Sequence, residues 1–173
     1  MSDTLVTIIA IGLAAVLMFV FPLMTMSDRT DDVSKLTVET ATTEFVDEIR
    51  TTGKITPDKY SKFIENIGST GNTYDVEMEV KVKDENPGKK TTQTAKDKIG
   101  ENVYYSVYTS QIVDQLNSDK DYKLKEGDIV SVDVKNTNQT LSQQLKNFFY
   151  SVVGKDTYTI AASHAGIVTA TGK

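Results

Sequence analysis

One stretch limits every architecture open to this chain: Thr4 to Met26, TLVTIIAIGLAAVLMFVFPLMTM, 23 residues without a charge. As an α-helix rising about 1.5 Å per residue it is roughly 34 Å long, enough to cross a hydrocarbon core of about 30 Å. Such a segment serves as a cleavable export signal, as a plain anchor, or as a surface on which helices assemble. An export signal needs a basic start, a shorter apolar run and a small-x-small cleavage site. Here Asp3 stands at the start and bulky MFVFPLMTM occupies the place of the cleavage site, so the segment is expected to stay on the chain.

Inside the run, Gly12, Ala14 and Ala15 form a small-residue patch of the kind that lets neighbouring helices approach closely, although Gly and Ala are common in any membrane helix. Pro22 lacks a backbone N–H and is expected to loosen the helix near its exit. The bases nearest the run, Arg29 and Lys35, both follow it. Counted literally, that bias keeps the large domain in the cytoplasm, but long domains translocate largely regardless of charge.

The roughly 147 residues that follow suit one domain of ordinary size. They hold all 19 Lys and Arg and 23 of the 24 acidic residues, a net charge of −4. A mildly acidic domain without a basic stripe has nothing to drive phosphate-backbone binding, so nucleic acid is not an expected partner. The chain has no cysteine, which excludes disulfides, thiolate nucleophiles and sulfur-ligated metals.

From Val33 to Ile49, the apolar Val33, Leu36, Val38, Ala41, Phe45 and Ile49 alternate with acids at helical spacing, which predicts an amphipathic helix ended by Gly53. No Pro or Gly separates it from the apolar run, so the two can form one rod of some 45 to 50 residues, weakened near Pro22. TPDKYSKFIENIG predicts a short helix with Thr56 as N-cap, Pro57 in its first turn and Gly68 as terminator. In YDVEMEVKVK, Tyr74, Val76, Met78, Val80 and Val82 alternate with charged residues, the mark of a half-buried strand. Asp84 to Glu101, with Asn86-Pro87-Gly88, reads as a long surface loop. VYYSVYTSQIVDQL fits a strand or a helix, with helix favoured from Tyr105 onward. DIVSVDVK gives a second half-buried strand on Val130, Val132 and Val134; Leu141, Leu145, Phe148, Phe149 and Val152 mark a helix ended by Gly154; and Tyr158, Ile160 and Ala162 share one side of a last strand.

Catalytic groupings do not emerge. His164 is the sole histidine and lies within a predicted strand, where a structural role is the ordinary one. DKDYKLKEGD, Asp119 to Asp128, resembles a calcium loop only faintly, because Lys123 and Lys125 stand where oxygen ligands belong. Tyr104, Tyr105 and Tyr108 form the one aromatic cluster, read as the half-buried edge of the core in preference to an interface. Asn138-Gln139-Thr140 fits a glycosylation sequon, a very short pattern. No catalytic, cofactor-binding or metal residue is assigned, and no enzyme activity or cofactor is expected.

The run IIAIGLAAVLMFVFP, passing into an amphipathic stalk and followed by FVDEIRTTGKITPDKYSKFIENIG and a small strand-rich head, resembles the pilin-like proteins, more narrowly the tight-adherence pseudopilins of Gram-positive bacteria. The resemblance follows the plan of the whole chain, with detail over the first 53 residues. It implies a subunit stored in the membrane, its apolar helix packing into a filament or secretion apparatus and its head facing outward. Family members carry a short basic leader and a buried glutamate early in the run; here Leu5 stands at that level with Asp3 nearby. An ancillary or uncleaved member is therefore the variant expected.

The expected fold is α+β: a transmembrane helix over 1–26 extending into an amphipathic stalk helix over 27–53, and an extracytoplasmic head over 54–173 with a small, mostly antiparallel sheet packed against helices. Gly12, Ala15, Phe19, Phe21 and Pro22 are the candidate assembly residues. Expected partners are membrane lipid and further copies or other pilin-like subunits; a ligand for the head is left open. The alternative is a monomeric, single-pass anchored accessory or binding domain within an envelope complex.

Overall fold

The computed structural model describes residues 2–84, 104–150 and 160–173. Its dominant element is α1, Ser2–Thr52, a single 51-residue helix that continues through Pro22. Gly53, with φ of +66°, turns the chain out of it. β1 (Lys54–Ile55) and α2 (Pro57–Gly68) follow, the latter capped as expected: the Thr56 hydroxyl accepts from the Lys59 N–H at 3.3 Å and Pro57 opens the first turn. Next come β2 (Tyr74–Lys83), β3 (Tyr104–Tyr108), α3 (Thr109–Asn117), β4 (Tyr122–Lys123), β5 (Ile129–Asn136), α4 (Leu141–Tyr150) and β6 (Ala161–Ile167). The fold is α+β, with a long apolar N-terminal helix and small antiparallel sheets.

The main sheet has the order β3-β2-β5-β6, each pair antiparallel, and β1 pairs with β4 in a two-stranded patch. Val76, Met78 and Val80 of β2 lie opposite Val134, Val132 and Val130 of β5, and all six are buried. The two-residue alternation therefore puts one face of each strand into the core, as the sequence pattern requires. Across that face lies the second half of α1, whose Val38, Phe45, Val46 and Ile49 are buried with Phe63 and Ile67 of α2. Phe45 and Phe63 stack nearly parallel, their ring centroids 4.4 Å apart. The stretch 27–53, expected as a stalk leading to the head, is thus along its second half a layer of the head's own core.

VYYSVYTSQIVDQL divides at Thr109: Tyr104 to Tyr108 pair with β2, and the helix starts only after them. The Thr109 side chain continues the ladder, accepting from the Met78 N–H at 2.6 Å. Tyr105 onward is therefore strand before it is helix. β-branched and aromatic residues satisfy both periodicities over so short a run, and pairing with β2 decides. The loop expected over Asp84 to Glu101, and the Val152, Gly154 and Tyr158 positions, lie outside the described residues apart from Asp84.

After β6 the chain closes against the end of α1. The Thr169 N–H donates to the Arg50 carbonyl at 2.8 Å, the Leu124 N–H to the Gly53 carbonyl at 2.8 Å, and the Gly172 N–H to the Leu124 carbonyl at 2.9 Å. A Cβ on Gly53 would run into the Ala170 carbonyl, and one on Gly166 into the Arg50 guanidinium. Glycine is required at Gly53 by close approach to backbone and by positive φ, whereas a side chain at Gly166 would make the Arg50 side chain shift.

Candidate functional site

The first half of α1 stands clear of the core. Its large apolar side chains from Leu5 to Leu23 other than the half-buried Val20, together with Met26, are exposed, Phe19 and Met18 to about three quarters. The helix is long and apolar enough to cross a membrane, and none of its apolar window is buried. Stable solution exposure of so many adjoining apolar side chains is untenable, so lipid or other helices must cover this surface.

At 100° per residue, Gly12, Ala15, Phe19 and Pro22 fall along one side of the helix, while Phe21 lies opposite Gly12. Four of the five candidate assembly residues thus share a line and the fifth does not. Nothing lies within 4 Å of where a Gly12 Cβ would stand, so no contact among the described residues asks for glycine there. The expected loosening at Pro22 is not accompanied by any interruption of the helix.

Just beyond the apolar run, the buried face of α1 is polar. Ser27, Asp31 and Ser34 are buried, whereas Val33 and Leu36, expected on the core face, are each 64 % exposed. The reason lies across the interface, where the start of α4 and the residue before it present Thr140, Ser142 and Gln143. The Thr140 hydroxyl donates to Asp31 Oδ2 at 2.6 Å, the Ser142 hydroxyl donates to Asp28 Oδ1, and Lys146 Nζ lies 2.6 Å from the same Asp28 oxygen. Thr140 and Gln143 also form a reciprocal box at the start of α4, each side chain accepting from the other's N–H. Hydrogen bonding from Lys146, then from Ser142, holds the Asp28 carboxyl below its ordinary value. These bonds clasp α4 to α1 where α1 leaves its apolar run.

The sequon is absorbed into the same region. Asn138 Nδ2 donates to Asn72 Oδ1 at 2.9 Å and Asn138 Oδ1 accepts from the Thr73 N–H at 2.9 Å, so its amide and the Thr140 hydroxyl are both engaged in packing the fold.

The tyrosines sit elsewhere than expected. Tyr104, Tyr105 and Tyr108 lie on β3, an edge strand of the sheet, and all three are exposed. Tyr105 faces a surface cleft of about 920 Å³ shared with Val82 and Tyr122. Burial, reinforced by Tyr105 and Asp128, pushes the Tyr122 phenol above its ordinary value. Among the described residues, four lysines and four aspartates line this cleft, so its lining carries no net formal charge.

The remaining sequence candidates are built into the fold. Both Asp128 carboxylate oxygens accept backbone N–H groups, from Lys83 at 2.9 Å and Lys125 at 2.8 Å, and Tyr122–Lys123 form β4 rather than a ligand loop. His164 of β6 faces α1, its Nε2 3.7 Å from Asp47 Oδ1, beyond hydrogen-bond reach. The structure brings none of these together with the apolar first half of α1. The chain matches no family model, no curated protein and no solved structure.

Proposed function

We propose that this protein is a non-enzymatic, single-pass envelope subunit of pilin-like type that assembles through its apolar N-terminal helix in a pilus, filament or secretion apparatus, with its head outside the membrane. One observation carries this: a single helix is bare and apolar over its first half and built into the core of an α+β head over its second. A force or displacement on the membrane half is thereby transmitted to the head without a hinge in between. A detachable anchor needs no such continuity, because a flexible linker holds a domain at a surface equally well.

The cleft beside Tyr105 and Tyr122 favours a second reading, a monomeric anchored domain whose head captures an envelope partner. Size separates the two. The full-length chain in mild detergent runs as an oligomer under the first reading, and Gly12→Leu or Ala15→Leu dissociates it, because bulk at a close helix contact forces the helices apart. Both residues stand outside the core of the single chain. An unaltered monomer in wild type and variants sinks assembly and leaves the anchored domain. Protease added to sealed cells reports on the outward head: digestion from outside supports it, and complete protection contradicts it.

A further inference from the structure

The covered side of α1 does not stop where its apolar run begins. Ser27, Asp31 and Ser34 are buried against the head, and Met24 and Val20, one and two turns before Ser27 on the same side, are half-buried. Leu17 and Leu23 flank that side and are 45 % and 44 % exposed, against 60 % or more for Leu5, Ile8, Ile11 and Leu13. Part of the head therefore packs against α1 inside the apolar run.

Among the described residues, α4 is the element that reaches there. Thr140 bonds Asp31 and Ser142 bonds Asp28, so α4 runs antiparallel to α1, toward the N-terminal end of the apolar run. Carried on at the same rise, that register sets Lys146 level with Met24 or Thr25, and Tyr150, the last residue of α4, level with Val20 or Phe21. The half-burial of Met24 and Val20 follows this path. Lys146 Nζ nonetheless lies 2.6 Å from Asp28, so its stem leads back toward the clasp, as a basic side chain rooted below a membrane surface does.

Helix length fixes the depth. Tyr150 is about six residues, or about 9 Å, inside the end of the apolar run at Met26, within the roughly 5 to 10 Å to which interfacial helices sink. If hydrocarbon began only below Tyr150, the stretch from Thr4 to Phe19 would have to cross it alone, a helix of about 24 Å against a core of about 30 Å. The whole run is long enough, and its use carries the end of α4 into lipid. The sequence there is Phe148-Phe149-Tyr150, apolar and aromatic residues of the kind that settle at a membrane boundary, whereas the polar Ser142 and Gln143 are buried at the opposite end of the helix.

We infer that α4 is a second membrane contact, its last turn dipping among the acyl chains of one leaflet beside α1, so that the head rests on the bilayer in a fixed orientation. The inference rests on α1 spanning the membrane, as in the reading above, and makes lipid a partner of the head as well as of the anchor.

The chain contains no tryptophan, so single-tryptophan variants report one depth each. Phe148→Trp and Phe149→Trp, 100° apart around α4, are placed full-length in vesicles of phosphatidylcholine and phosphatidylglycerol, and their fluorescence is compared with that in the same vesicles brominated on the acyl chains. Two positions are used so that misfolding of one variant, read from its urea midpoint, leaves the other. Phe19→Trp in the exposed apolar half of α1 marks the span, and Asn66→Trp on the exposed side of α2 marks water. Several-fold more quenching at 148 or 149 than at 66, approaching that at 19, is the expected result. Quenching at 19 with none at 148 and 149 overturns the lipid contact of α4 and leaves the spanning helix standing, whether the head itself or a second copy covers those positions. No quenching at any of the four overturns the spanning helix and the contact together. Equal quenching at all four, 66 included, reports adsorption of the whole head and overturns insertion by α4.

Discussion

Ile49→Ala measures how firmly α1 is tied to the head. Ile49 is fully buried in the core that α1 shares with the sheet and α2. Truncation removes three buried carbons at about 0.8 kcal/mol each, or about 2.4 kcal/mol. A partly relaxed cavity adds about 1 kcal/mol, for a total of about 3 to 4 kcal/mol, within the usual span of about 2 to 5 for such changes. The control is Leu36→Ala, nearer the membrane end of the same helix and 64 % exposed, which should stay within about 0.5 kcal/mol. Urea unfolding of the full-length chain, with micelles in large excess so that each holds one molecule, follows the head by tyrosine fluorescence. With a urea slope of about 2 kcal/mol per molar, the Ile49→Ala midpoint drops by about 1.5 to 2 M. Equal shifts in the two variants, or a shift below about 0.5 M for Ile49→Ala, would falsify the assignment of these two faces of α1.

Gly166→Ala places a methyl group against the Arg50 guanidinium and costs about 1 to 3 kcal/mol by overpacking; an unchanged thermal midpoint would show that Arg50 moves aside freely. Asp31→Ala leaves the buried Thr140 hydroxyl without its acceptor and costs about 1 to 3 kcal/mol, with faster amide exchange in α4 as the readout; unchanged exchange counts against the clasp. Asp28 has a folded-state pKa below its ordinary 3.8. Its contribution is fully present above that ordinary value and is lost as pH falls through the depressed one. Acid titration should therefore release α4 below about pH 4, and Lys146→Ala should move that loss to higher pH; an identical acid profile in the variant contradicts the pairing.

The regular parts of the head were legible because their burial follows apolar periodicity. β2 and β5 alternate strictly, and Thr56-Pro57 together with Gly68 bracket α2. The polar junction between α1 and α4 was not legible. Hydropathy puts Val33 and Leu36 inside and Ser27, Asp31 and Ser34 outside, the reverse of the arrangement here, where Asp31 bonds Thr140 and Asp28 bonds Ser142 and Lys146 over those two turns. The two-residue strands β1 and β4 carry no periodic signal and owe their pairing to the turn at Gly53 and to the chain end packed over it. The apolar helix was visible from composition, but a segment apolar on all sides does not disclose which side meets a partner.

Electron microscopy of the full-length protein, extracted from its native membrane and negatively stained, tests assembly through α1 most directly, with intact mass read on the same sample. Filaments or regular oligomers of the chain, disrupted by Gly12→Leu while the head stays folded, are the predicted result. Dispersed single particles in wild type, unchanged by the substitution, would contradict it.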